Sequence, residues 1–426
     1  MRRVGGGMRM ALSGHLKAGV VVAAVLAADH AMADSDNYVD VARGRALATA
    51  GDCVACHTAP GGVPFAGGLA LQTPFGVIMT PNITPDDSTG IGGWSKDNFA
   101  RAMHEGRRPN GAYLYPAFPY PYYTKVTRQD TDAIYDYLRS LAPASNIVDR
   151  RTLPFPFSIR TAMLGWNALF LSPGTFASDP GRSEEFNRGA YLVEGLGHCG
   201  ACHTPLNVLG ANKAGQFLQG NKISDWTAPN ITNDAQTGLG NWSVDEIVKY
   251  LRTGQNGTSF ASGPMKEVVE NSTSKMPDAD LKAMAVYLKE RGASGAPAPA
   301  PLPASEPQMR VGEAIYLDTC SACHVRSGAG IEHIFPRLAG NAVVKQDDPT
   351  TLVRVILTGT RGAATDATPT SPAMPSLGYR LNDNQLAAVV TYIRNAWGNA
   401  ASAVTADTVK TLRDRVANPS RQAVSR

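Results

Sequence analysis

Cysteine is the first scarcity: six residues in 426, and none of them spare. All six fall inside three five-residue motifs, CVACH (53–57), CGACH (199–203) and CSACH (320–324), so none is left for a disulfide framework. Charge is thin too, at 18% of the chain, and no dense Lys/Arg stripe occurs, which argues against nucleic acid as a partner. Apolar runs are short. The run AGVVVAAVLAA (18–28) falls well below the roughly 20 residues that a membrane-spanning helix needs. There is no nucleophile elbow and no further Cys/His metal cluster. GLGHCG (195–200) spells a dinucleotide-binding fingerprint, but its fifth residue is Cys199 of the second motif and its flanks read as helix, not as a βαβ unit.

What is present begins with a targeting segment. Arg2, Arg3, Arg9 and Lys17 precede the short apolar run, and AMA (31–33) follows it, the three-part layout of a secretory signal peptide cleaved after Ala33. Without residues 1–33 the chain keeps 36 basic and 35 acidic groups, so its formal charge falls from +4 to +1. The basicity therefore belongs largely to the leader.

The three motifs carry the chemistry. In C-x-x-C-H two thiols add to the vinyl groups of a haem, and the histidine that follows ligates the iron. Two intervening residues set the sulfurs about one helical turn apart, and the next imidazole reaches the metal between them. A lone C-x-x-C could be a redox pair or half a zinc site. Three copies, each followed by His and lying behind an export signal, argue for three covalently attached haem c groups instead. Cys53, Cys56, Cys199, Cys202, Cys320 and Cys323 are the expected anchors, and His57, His203 and His324 the expected proximal iron ligands. Outside these and the leader only His104, His198 and His333 remain, each read as an ordinary polar or surface residue.

The motifs sit in a repeated module. Gly44, Gly189 and Gly312 open a helical pattern upstream of each. Downstream, a second helix ends at Gly106, Gly254 or Gly359, and a third superposes Tyr137, Tyr287 and Tyr392. The first two copies share PNITPDDSTGIGGWS (81–95) and PNITNDAQTGLGNWS (229–243), with Ser95 and Ser243 as expected N-caps, whereas the third has FPRLAGN (335–341). Three helices around a haem resemble a class I cytochrome c. The expected fold is all-α: three tandem domains of that type at 34–141, 188–292 and 309–399. Segment 142–187, which includes LPFPFSIRTAMLGWNALFL (153–171), is too apolar for a free linker and either packs between domains or forms a docking patch. Residues 293–308 read as a stiff Pro/Ala linker. Within the tail at 400–426, residues 405–416 read as a solvated helix or as an amphipathic one for a membrane or subunit contact.

A haem iron held by His on one face is commonly completed by Met on the other. Counting from the helix-ending glycines points to Met265 for the second haem and Met374 for the third, with Met276 as a competitor in the second domain. The first domain has PAFPY (116–120) there, and the phenyl ring of Phe118 cannot bind iron. His104, Met103, Met79 and an open or water-bound position all remain candidates. Met103 aligns with Leu251 and reads as packing on the macrocycle; Met79 lies on the wrong face if the carbonyl of Pro81 orients His57.

These motifs, with NRGAYLVEGLGHCGACH (187–203), GPMKEVVENSTSKM (263–276) and TYIRNAWGN (391–399), resemble the three-haem cytochrome c subunits of bacterial membrane-associated dehydrogenases over essentially the whole mature chain. The resemblance implies a non-catalytic redox subunit, periplasmic and associated with the outer face of the cytoplasmic membrane. It implies electrons arriving from a separate catalytic subunit of flavin, quinone or molybdenum type and leaving to ubiquinone or a terminal oxidase. Alcohol-type members often carry Met in a PAMPY-like loop, from which PAFPY departs. The competing readings are a self-sufficient haem enzyme acting at the first site and a free electron shuttle.

Overall fold

A computed structural model describes residues 38–149, 152–213, 215–223, 225–292 and 297–417, together with 1, 2 and 5. The expected signal peptide, apart from those three residues, and linker positions 293–296 lie outside the described residues. The chain is mostly helical, with three two-stranded hairpins among the described residues.

Each repeat has an opening helix, the cysteine turn, a middle helix and a closing helix. The opening helices cover 38–50, Glu184–Tyr191 and Pro307–Ile315, the last two running on into a wider π turn. The middle helices are Lys96–Glu105, Val244–Thr253 and Thr350–Thr358. The closing helices are Arg128–Ser140, Asp278–Glu290 and Asp383–Asn395. Ser95 and Ser243 cap their helices, each accepting from the backbone N–H three residues on while that residue's side chain accepts the cap N–H in return. Gly106, Gly254 and Gly359 end the middle helices at φ of 62°, 75° and 70°, a region that penalises any side chain with a Cβ.

Gly44, Gly189 and Gly312 do not open their helices as expected; they sit inside them. A Cβ there would lie 1.8, 2.0 and 2.2 Å from the backbone oxygens of Ala133, Ala283 and Ala388. It would also press on the Cβ of Tyr137, Tyr287 and Tyr392, at 2.9, 2.8 and 2.6 Å. Glycine is needed because opening and closing helices cross backbone to backbone.

The cores are unequal. One buried cluster runs through the first two repeats, joining Leu47, Ile134 and Leu138 to Leu192, Leu196, Leu251 and Leu281. The third repeat has its own, around Tyr316, Val353, Leu386, Val389 and Val390. The tail helix Ala406–Ala417 closes that second core with Val409 and Leu412, so its apolar face is neither solvated nor free for a membrane. Arg413 fastens it to Asp383 at 2.8 Å and to the carbonyls of Gly378 and Leu381. The fully buried Arg394 ties the closing helix to the carbonyls of Val344, Gln346 and Ser402.

The connector between the first two repeats packs against them, the first of its two expected roles. Its helix Ala162–Phe170 buries Trp166 against Tyr120 and Ala211, with the indole N–H donated to the carbonyl of Leu209 at 2.9 Å. Leu164 and Leu169 of the same helix are exposed, as are Phe155 and Val208 in loops.

Candidate haem sites

The three attachment motifs form short helical turns at Cys53–Cys56, Cys199–His203 and Ser321–His324. In each the first cysteine is half-buried and the second exposed, and none is in a disulfide. Burial pushes the Cys53 and Cys199 thiols up to about 12, which favours the protonated thiol.

The histidines share one arrangement. His57 Nδ1 lies 2.8 Å from the carbonyl of Pro81, His203 Nδ1 2.7 Å from Pro229, and His324 Nδ1 3.0 Å from Pro336. A carbonyl accepts only, so Nδ1 carries the proton and Nε2 keeps its lone pair, the tautomer that binds a metal. Burial holds all three imidazoles below the ordinary histidine value, with the proline carbonyl opposing it. Neutral imidazole with a free Nε2 next to two unpaired sulfurs is the donor set that covalent haem requires, so these residues fit the group. The third repeat reaches the same contact from FPRLAGN rather than PNIT, because only a backbone carbonyl is used.

The distal loops divide the repeats. Leu114 N–H donates to the carbonyl of Gly106 at 2.7 Å, and Ala261 N–H to that of Gly254, also at 2.7 Å. Phe118 and Met265 each follow four residues later and each pack, half-buried, on the same core. The loops before them, bridged at Arg107–Tyr113 and Gln255–Phe260, differ by one residue, which accounts for the unequal counts from the glycines. In the third repeat Met374 pairs with Thr360 beside Gly359 and packs half-buried on the third core. Met276, the competitor, is fully enclosed in the shared core.

The other first-site candidates separate as well. Met103 is buried in the shared core, three residues before Gly106 as Leu251 is before Gly254. His104 turns to the closing helix, its Nε2 3.0 Å from Thr131 Oγ1. Arg252, at the matching position, likewise reaches the start of its closing helix through Ser274 and Asp278. Met79 ends the strand Gly76–Met79, which leads directly to Pro81 and so belongs to the proximal side.

Sequence reasoning missed how the first two motifs meet. His198 and Asp52 each precede a first cysteine in left-handed backbone, at φ of 36° and 49°. His198 Nε2 approaches the carbonyl of Gly51 at 3.2 Å, the Tyr123 ring stands edge-on to it at 5.5 Å, and Ser272 donates to the carbonyl of Ala50. His198 is thus an interface residue. The signal was its place directly before Cys199, matched by another polar residue before Cys53.

Sulfur anchors with carbonyl-held histidines on helical repeats define a c-type cytochrome. A family model described as cytochrome c matches residues 41–142 and 310–397. The chain is 42% identical to the gluconate 2-dehydrogenase cytochrome c subunit of Pantoea cypripedii, over 89% of this chain and 91% of that one. It is 40% identical to the cytochrome c subunit of the quinone-type alcohol dehydrogenase of Gluconacetobacter polyoxogenes, over 89% and 85%. With the fructose dehydrogenase cytochrome subunit of Gluconobacter japonicus it shares 36%, over 88% and 82%. The chain belongs to this family of dehydrogenase cytochrome c subunits, whose fold carries covalent haem c.

Proposed function

We propose that the chain relays electrons through three haem c groups, from the catalytic subunit of a periplasmic dehydrogenase to ubiquinone or a terminal oxidase. Each haem, when bound, supplies a one-electron carrier. The protein's part is placement. The cysteine pairs at 53/56, 199/202 and 320/323 tether the groups, and His57, His203 and His324 hold the irons from one face. Met265 and Met374 complete the second and third from the other. The observation that carries this reading is the threefold His–Pro contact, at 2.8, 2.7 and 3.0 Å, which keeps one imidazole nitrogen basic in every repeat.

Burying the first two motifs against one core supports charge passing between neighbouring sites inside a single body. No helix among the described residues is long and apolar enough to cross a membrane. The exposed apolar side chains of the connector, Phe155, Leu164 and Leu169, are the surface by which an exported chain would rest on the membrane. The partner would carry flavin, a quinone or molybdenum. Mass measurement of denatured holoprotein tests the reading: three haem additions are expected, and one fewer after replacing both cysteines of any motif by Ala. A wild-type count below three overturns it.

A further inference from the structure

We infer that the first site has an open iron position, roofed by Phe118, that takes a small uncharged diatomic ligand, while Met265 and Met374 close the other two. The inference rests on the reading that all three motifs carry haem. Its ground is the shared geometry of the first two repeats: Leu114 and Ala261 make the same 2.7 Å bond to the glycine that ends the middle helix, and Phe118 and Met265, each four residues further on, both pack on the shared core. A phenyl ring has no lone pair to give iron. It also has no donor to stabilise a bound anion or a polarised oxygen ligand, so the pocket favours carbon monoxide or a similarly neutral diatomic. Phe118 is held in place by the Tyr123 ring, with centroids 5.3 Å apart.

Among the described residues, the other candidate donors each have a setting of their own. His104 is bonded to Thr131, Met103 is enclosed in the shared core, and Met79 lies on the proximal strand. Met163, from the connector, packs with the Tyr120–Trp166 cluster, which Phe118 also touches, and is not part of the shared core. The hydroxyl of Tyr120 donates to Asn167 at 2.6 Å and that of Tyr123 to the carbonyl of Gly51 at 3.4 Å.

Carbon monoxide is the probe. Added to anaerobically reduced holoprotein, it should shift the optical spectrum of one haem in three, and the oxidised protein should show one high-spin iron by electron paramagnetic resonance. Phe118→Met should abolish both signals and raise one of the three midpoint potentials, since thioether ligation favours the reduced iron. Phe118→Leu, which keeps an apolar wall, should retain carbon monoxide uptake and guards against misfolding of the Met variant. Three haems by mass with no carbon monoxide uptake and only low-spin iron would overturn the inference while leaving the relay intact. So would a high-spin signal or carbon monoxide uptake gained only when Met163→Leu, Met103→Leu or His104→Ala is made, since that residue would then be the ligand. Fewer than three haems would instead remove the relay reading itself.

Discussion

The first and second repeats share nearly every device that positions a proximal histidine, yet differ at the residue that would face the iron from the other side. Both have the mid-helix glycine, the capping serine, the left-handed residue before the first cysteine and the histidine bonded to a proline carbonyl. Only one has a thioether in the distal loop. The proximal half is constrained because covalent attachment fixes sulfurs and imidazole together, and the helix crossing behind them tolerates no added atom. The distal residue packs through an apolar side chain with no covalent tie and no backbone wedged against it, so one apolar residue can replace another with less disturbance to the fold. This separates what builds the site from what tunes it.

The largest effect should come from the shared part, and it should be equal in the two repeats. At Gly44→Ala and Gly189→Ala the added methyl meets a backbone oxygen, which cannot rotate away, at 1.8 and 2.0 Å. Overpacking of this kind costs roughly 3 kcal/mol or more. Because one core serves both repeats, either variant should melt the pair together, while the third repeat, with its separate core, persists as its own transition. Calorimetry of each variant checks this. A loss confined to the substituted repeat would break the idea of a shared unit.

A smaller effect should come from exchanging the difference itself. Met265→Leu keeps volume and apolarity, so stability should change by less than about 1.5 kcal/mol. Carbon monoxide uptake should nevertheless rise from one haem per chain to two, and one midpoint potential should fall. Unaltered uptake would show that Met265 is not the second distal ligand and would return Met276 to that role.

The framework was legible in the sequence wherever a physical constraint had a local signature. The cysteine spacing, the Trp-Ser helix starts, the glycine stops and the repeated tyrosines are all short-range patterns. What escaped was set by distant partners. Nothing around His104 announces Thr131, 27 positions away. The tail's apolar stripe looks alike whether it meets lipid, a subunit or its own repeat, and only the third core decides for Val409 and Leu412. The glycines were misplaced to the helix starts because sequence shows the residue but not the helix crossing it.

The finest contrast is between Asp52 and His198, which occupy matching positions before their cysteines and should bend the stability curve in opposite directions. Burial, reinforced by Glu267 and opposed by Lys275, raises the Asp52 carboxyl from 3.8 to about 8, and its Oδ1 is enclosed without a partner. Between those values the folded protein keeps a proton that the unfolded chain has released, so stability falls as pH climbs through that window. Burial instead lowers His198, opposed by the Gly51 carbonyl, so the unfolded chain takes up a proton below its ordinary 6.5 that the folded one refuses, and stability falls on acidification. Thermal midpoints of oxidised holoprotein across this pH range should therefore flatten on the alkaline side in Asp52→Asn and on the acid side in His198→Asn. If Asp52→Asn leaves the slope between about 4 and 8 untouched, the carboxyl is ionised in the folded protein, and Lys275 rather than burial governs it.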